Sequence, residues 1–170
     1  MSTAFALDPR LAADCFVVGE LGLSRVLLMD DLRFPWLILV PRIAGLRELV
    51  ELAREQQHEL LDEVNRLAHV LHAITRPDKM NIATLGNVVA QLHVHVIARH
   101  VGDAAWPRPV WGAGERLRYA EDERERGEMA RSRCPASTSS CRPMPASPSC
   151  SIRRSGKPAA RRRRSTASPH

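Results

Sequence analysis

Two histidines set two residues apart carry the clearest chemical promise in this chain. In Gln91-Leu92-His93-Val94-His95-Val96-Ile97, apolar and polar residues alternate, which predicts a strand from Leu92 to Ile97. Leu92, Val94 and Val96 then share one face, and Gln91, His93 and His95 share the other. The second face presents an amide and two imidazoles spaced roughly 7 Å apart, two residues of strand rise per step. Imidazole titrates near neutrality and is a competent nucleophile toward phosphorus. Just upstream, Gly86-Asn87 supplies a turn whose backbone N–H groups could meet an anion. A phosphate gripped there would lie near both rings. On spacing alone other readings stay open. The pair could ligate a metal with His100 or Cys15 completing the site, or could be plain surface residues. His100 stands an odd number of residues from His95, so an unbent strand would aim it at the opposite face.

The elements that must position this pair are legible from periodicity. Asp8-Pro9 predicts a capped helical turn running to Asp14. Strands follow at Cys15 to Leu21, Arg25 to Met29 and Trp36 to Pro41, their short spacing pointing to antiparallel pairing. The third is apolar throughout, so both of its faces should be covered. Leu46 and Leu49 suggest a short helix. Leu60, Val64, Leu67, Leu71 and Ile74 then recur at steps of four and three, with Glu55, Glu59, Asp62, Glu63 and Arg66 on the other side. That is one amphipathic helix from Arg54 to Thr75, stopped at Pro77. A fourth strand is expected from Met80 to Leu85 and the fifth from Leu92 to His100. Trp106-Pro107-Arg108-Pro109-Val110-Trp111-Gly112 reads as a stiff aromatic loop, whose tryptophans could flank a bound base or stabilise a dimer edge, with simple loop packing the preferred role. Glu115 to Ala130 is expected to continue as a brief helix.

Charge divides the 170 residues unevenly. Residues 1–130 hold 15 Lys and Arg against all 19 Asp and Glu, whereas residues 131–170 hold ten basic residues and no acid. Beyond Arg131 there is no Phe, Trp, Tyr, Leu or Val, too little apolar surface to offset the entropy of ordering the chain. The tail is therefore expected to be disordered. Its Arg161-Arg162-Arg163-Arg164 run could serve a nucleic-acid arm, but a solvated tail or a reading-frame accident is the preferred reading. Four cysteines form no CxxC pair, so neither a zinc ribbon nor a redox motif is indicated. No secretory leader and no run near the ~20 apolar residues of a membrane span is visible, so a cytoplasmic protein without a membrane partner is expected.

The segment Leu85-Gly86-Asn87-Val88-Val89-Ala90-Gln91-Leu92-His93-Val94-His95-Val96-Ile97 resembles the signature of the histidine triad (HIT) family of nucleotide hydrolases and transferases. Pro35 to Arg42, reading Pro-Trp-Leu-Ile-Leu-Val-Pro-Arg, resembles small bacterial members in the third strand. The resemblance implies an α+β fold with about five antiparallel strands, one long helix and one short. It implies a domain over residues 1–112, leaving 113–130 as the helical extension and 131–170 as the tail. It also implies cleavage at the α-phosphate of a dinucleoside polyphosphate or a nucleoside phosphoramidate. His93 falls on the nucleophile that forms a covalent nucleotidyl-histidine, and His95 on the histidine that contacts phosphate oxygens. Gln91 stands in the catalytic set where the strict triad has a first histidine. Its amide can hydrogen-bond but cannot act as an acid or base at neutral pH. Gly86 and Asn87 match the phosphate-contacting turn and Asp30 the ribose position, for which a turn-forming role is the competing reading; Asn81 is a further nucleotide-binding candidate. No protein-held metal or cofactor is implied, although a divalent ion could accompany the substrate phosphates. A purine nucleotide or dinucleoside polyphosphate partner and a homodimer follow from the same resemblance. The alternative is a nucleotide-binding module in which Gln91 has cost the chain its catalysis.

Overall fold

Asp8 caps the first helix as its position predicts, its carboxylate accepting the Arg10 N–H at 2.8 Å while Pro9 takes the first helical position. The computed structural model describes residues 4–120. In it α1 (Pro9–Asp14) leads into β1 (Cys15–Glu20), β2 (Ser24–Met29) and β3 (Trp36–Pro41). A single 3-10 turn, Leu49–Glu51, precedes α2 (Arg54–Thr75), and β4 (Lys79–Ala83) and β5 (Val94–Arg99) follow. The five strands pair antiparallel in the spatial order β1-β2-β3-β5-β4, so the strand carrying His95 lies inside the sheet. The expected α+β architecture is present.

Both faces of β3 are covered, as its unbroken apolar run requires. On one side Leu39 packs with Val94, Val96 and the α2 residues Leu60, Val64 and Leu71. On the other, Trp36, Ile38 and Val40 pack with Leu27 and Ile97, under Phe5, Leu7 and Leu11 from the N-terminal segment and Val110 and Trp111 from the loop after β5. The aliphatic face of β5 is thus core against the helix. Its imidazole face is roofed by both ends of the described chain.

Where the structure departs from the periodic reading, a specific hydrogen bond explains it. The fifth strand starts at Val94 and not at Leu92, because the Leu92 N–H is drawn to the Leu46 carbonyl at 3.0 Å. The fourth ends at Ala83, opposite His95, and Gly86 at φ +77° turns the chain away beyond it. The helix expected near Leu46 and Leu49 is reduced to the 3-10 turn. Glu63, placed on the solvent side by periodicity, is only 4% exposed. Its carboxylate accepts the N–H groups of Leu23 and Ser24 at 2.7 and 3.4 Å, supplying the β1–β2 turn with acceptors it cannot find within itself. Ile74, counted on the apolar stripe, is 75% exposed in the last turn.

Residues 115–120 of the expected helical extension are irregular, not helical. Leu117 and Tyr119 donate their N–H groups to the carboxylates of Asp31 and Asp30, and the Leu117 carbonyl accepts from Leu32. That every-other-residue pairing is incompatible with a helix's internal ladder. Residues 121–130 and the tail expected from 131 to 170 lie outside the described residues. No helix among the described residues is long and apolar enough to cross a membrane.

Candidate active site

The ring of His93 is fixed by its own neighbourhood in the chain. Its Nδ1 lies 2.7 Å from the backbone carbonyl oxygen of Gln91. A carbonyl can only accept, so Nδ1 carries the proton and, in the neutral ring, Nε2 keeps its lone pair. His95 has the opposite tautomer. Its Nδ1 accepts the indole N–H of Trp36 at 3.0 Å, which leaves the proton on Nε2. Burial first, and then the neighbouring His93, push the His95 pKa down from 6.5 to about 3, so this ring stays neutral in the folded protein. The two rings stand edge to face with centroids 4.8 Å apart. One unprotonated nitrogen and one N–H donor are therefore held side by side.

Aromatic side chains wall this pair. Trp36 and Trp111 meet the His95 ring at centroid distances of 5.4 and 5.2 Å. Trp111 is delivered by a loop anchored on Arg99, a guanidinium only 1% exposed. Arg99 donates to both oxygens of Asp103 at 2.6 and 2.9 Å, to the Asn81 side-chain oxygen and to the Arg108 carbonyl. These bonds hold the Asp103 carboxyl at a pKa of about 2, against an ordinary 3.8. Neither Arg99 nor Asp103 was singled out from sequence: the loop between residues 99 and 108 supplies most of their partners, and the β4–β5 pairing adds Asn81.

His93 also lines a notch of about 10 Å³ together with Arg47, Glu48, Gly86 and Gln91. The notch has room for little more than a water, so a nucleotide would lie across its mouth. A larger cavity, about 540 Å³, lies elsewhere, between α2 and β4 beside Leu61 and Ile82. Its lining is mostly apolar, with Gln57, His58 and Thr84 among it, and holds neither His93 nor His95, so volume alone does not mark the chemistry here.

The family model for the HIT domain matches residues 10–102, more than half of the chain. The chain belongs to the HIT family. A histidine triad protein from Bradyrhizobium japonicum is 46% identical and aligns over 77% of this chain and 98% of its own, with a TM-score of 0.70. Another from Marinobacter aquaeolei is 47% identical over 75% of this chain and 93% of its own, with a TM-score of 0.71. A third, from Sinorhizobium meliloti, is 45% identical over 79% and 100%, with a TM-score of 0.70. Comparison with curated proteins found no match.

Within this HIT domain the expected site residues separate into two groups. His93, His95, Gly86 and the Gln91 backbone are brought together. Asn87 is exposed beside Gly86 on the same loop. The Gln91 side chain looks elsewhere: its oxygen accepts the Asp8 N–H and its nitrogen donates to the Ala6 carbonyl, both at 2.9 Å. Asn81 is occupied as the acceptor for Arg99. Asp30 is 2% exposed, and its oxygens take the Tyr119 N–H at 2.9 Å and the Arg118 guanidinium at 3.3 Å. It follows Met29, which pairs with Cys15, whereas His95 lies level with Ile38 and Leu27. Cys15 is no metal ligand in waiting: burial, with Asp14 beside it, pushes its thiol up to about 12. No grouping of three or more His, Cys, Asp or Glu side chains suited to a metal occurs among the described residues. Trp36, Arg47 and Glu48 line the site without having been assigned to it from sequence, and Trp111, for which loop packing was the preferred reading over a place beside the base, walls it as well. The Pro35 to Arg42 segment was a visible cue for Trp36, but nothing nearby in sequence marked Arg47 or Glu48.

Proposed function

We propose that this HIT protein is a nucleotidyl hydrolase or transferase that cleaves at the α-phosphate of a dinucleoside polyphosphate or a nucleoside phosphoramidate. The observation that carries this reading is the His93 tautomer. With Nδ1–H committed to the Gln91 carbonyl, the lone pair on Nε2 is free to attack phosphorus. The P–N bond to Nε2 forms as the bond to the leaving group breaks, and the leaving atom takes that electron pair. The resulting nucleotidyl-imidazolium shares its positive charge with the Gln91 carbonyl through the same hydrogen bond. Water, or another acceptor, then adds its oxygen to phosphorus; the electron pair of the P–N bond returns to Nε2 and the water proton passes to solvent. His95, neutral and donating from Nε2, would steady the charge that builds on the phosphoryl oxygens. Gly86 and Asn87 are assigned to the phosphate, and Asp30 to the ribose once Tyr119 and Arg118 release its carboxylate.

Intact-mass measurement after mixing the protein with diadenosine tetraphosphate, or with adenosine phosphoramidate, tests this directly. An acid-labile adenylyl adduct on His93 is expected, absent in His93→Ala, with weakened turnover in His95→Ala. Nucleotide binding without any adduct would leave only a binding module. We also propose a homodimer built on the open edge of β4. That edge and the adjacent α2 surface expose Ile82 and Leu61 around the 540 Å³ apolar cavity.

A further inference from the structure

Protons are scarce around the nucleophile. The Gln91 amide does not titrate, and both of its polar atoms are spent on Ala6 and Asp8. The His93 Nδ1–H is held by a carbonyl. His95 keeps its one proton on Nε2 and would have to become an imidazolate to give it up. The remaining titratable group lining the notch is Glu48, which stands exposed to water. An amine leaving group must be protonated as its P–N bond breaks, whereas a polyphosphate departs as an anion and needs no proton.

A cation does wait there. Arg47 lines the same notch as His93 and is exposed; its backbone N–H donates to Glu51 and its charge acts on that carboxylate, but its guanidinium makes no hydrogen bond or close ion pair among the described residues. Three other arginines are committed: Arg10 to the Val88 carbonyl, Arg33 to Asp31 and Arg99 to Asp103. Arg108 is exposed on the loop that carries Trp111, but unlike Arg47 it does not line the notch that holds His93. A guanidinium presents a planar fork that matches phosphate oxygens two at a time.

Resting on the nucleotidyl-transfer reading above, we propose that Arg47 binds the departing phosphate and that the site selects phosphoanhydrides over phosphoramidates. In the first step the Pα–O bond breaks, the bridging oxygen keeps the electron pair, and the nucleoside phosphate or polyphosphate so released is held by the Arg47 guanidinium. No group on the protein gives a proton to that oxygen.

The test compares kcat/KM for diadenosine tetraphosphate and adenosine phosphoramidate, using the full chain. Arg47→Ala is expected to lower the tetraphosphate value by about ten- to a hundredfold, the worth of a charge-assisted contact, and to leave the phosphoramidate value within about twofold. Arg47→Lys should recover part of the loss, because the charge returns without the fork. Glu48→Gln should leave the phosphoramidate rate in place. A series of adenosine 5′-aryl phosphates should slow steeply as the leaving phenol becomes more basic. Equal losses on both substrates in Arg47→Ala, a flat leaving-group series, or phosphoramidate turnover that depends on Glu48 would each overturn the proposal. An adenylyl-His93 adduct formed equally well from both substrates would refute this selectivity while leaving the nucleotidyl-transfer reading intact. Failure to form the adduct from either would remove both.

Discussion

His95 depends on Trp36 for its tautomer, and that dependence can be measured. Trp36→Phe keeps an aromatic wall but removes the indole N–H, so the His95 proton is free to move between its two nitrogens. Turnover should fall by about tenfold, the worth of one hydrogen bond to a catalytic group, and because Trp36 is a core residue the smaller ring should also lower the melting temperature, so rates are compared well below it. The low pKa of His95 has a consequence for stability as well. Its folded value of about 3 lies below the ordinary 6.5, so between these pH values the unfolded chain binds a proton that the folded chain excludes. The stability this ring confers is therefore complete above pH 6.5 and is lost as the pH falls toward 3. Urea midpoints taken from pH 7 to pH 4 should decline more steeply for the natural chain than for His95→Gln. The imidazole pair itself could be read from sequence, because alternation fixes the face. Its tautomers could not, because one is set by a backbone carbonyl and the other by an indole 59 residues away.

At the scale of elements, periodicity revealed what packs and missed what satisfies hydrogen bonds. Leu60, Val64 and Leu71 announce the buried stripe of α2, but Glu63 looks like any solvent-facing acid until the β1–β2 turn is folded against it. Glu63→Ala would leave the Leu23 and Ser24 N–H groups without their acceptor. The expected cost is about 1–3 kcal/mol, read as a lower urea midpoint with an unchanged slope. Gln91 was legible as a departure from the strict triad, yet its partners Ala6 and Asp8 stand 85 and 83 residues away. Gln91→Ala should loosen the N-terminal segment, so hydrogen exchange at the Asp8 amide should accelerate while the amides of β3 and β5 keep their protection. No change at Asp8 would show that the segment is held by its apolar contacts alone.

For the whole molecule, the strand count, the antiparallel pairing of the early strands and the long helix were accessible from hydropathy and turn residues, because each is enforced by a local pattern; the place of β5 between β3 and β4 was not. The roof over the imidazole face was not, since it is built from both ends of the described chain. Assembly belongs to this scale too. If the β4 edge and the α2 surface pair with a second copy, Leu61→Glu combined with Ile82→Glu places charge in an apolar contact. Light scattering should then report a halved mass, and an unchanged mass would move the interface elsewhere. The roof also bears on how the protein is handled in the laboratory. Phe5 and Leu7 pack over the sheet, and Ala6 is gripped by the side chain that immediately precedes the catalytic segment. A bulky group fused close ahead of Phe5 would strain that grip, and rates measured with and without it are expected to differ. Kinetic work on this protein calls for a cleavable leader, removed before the first assay.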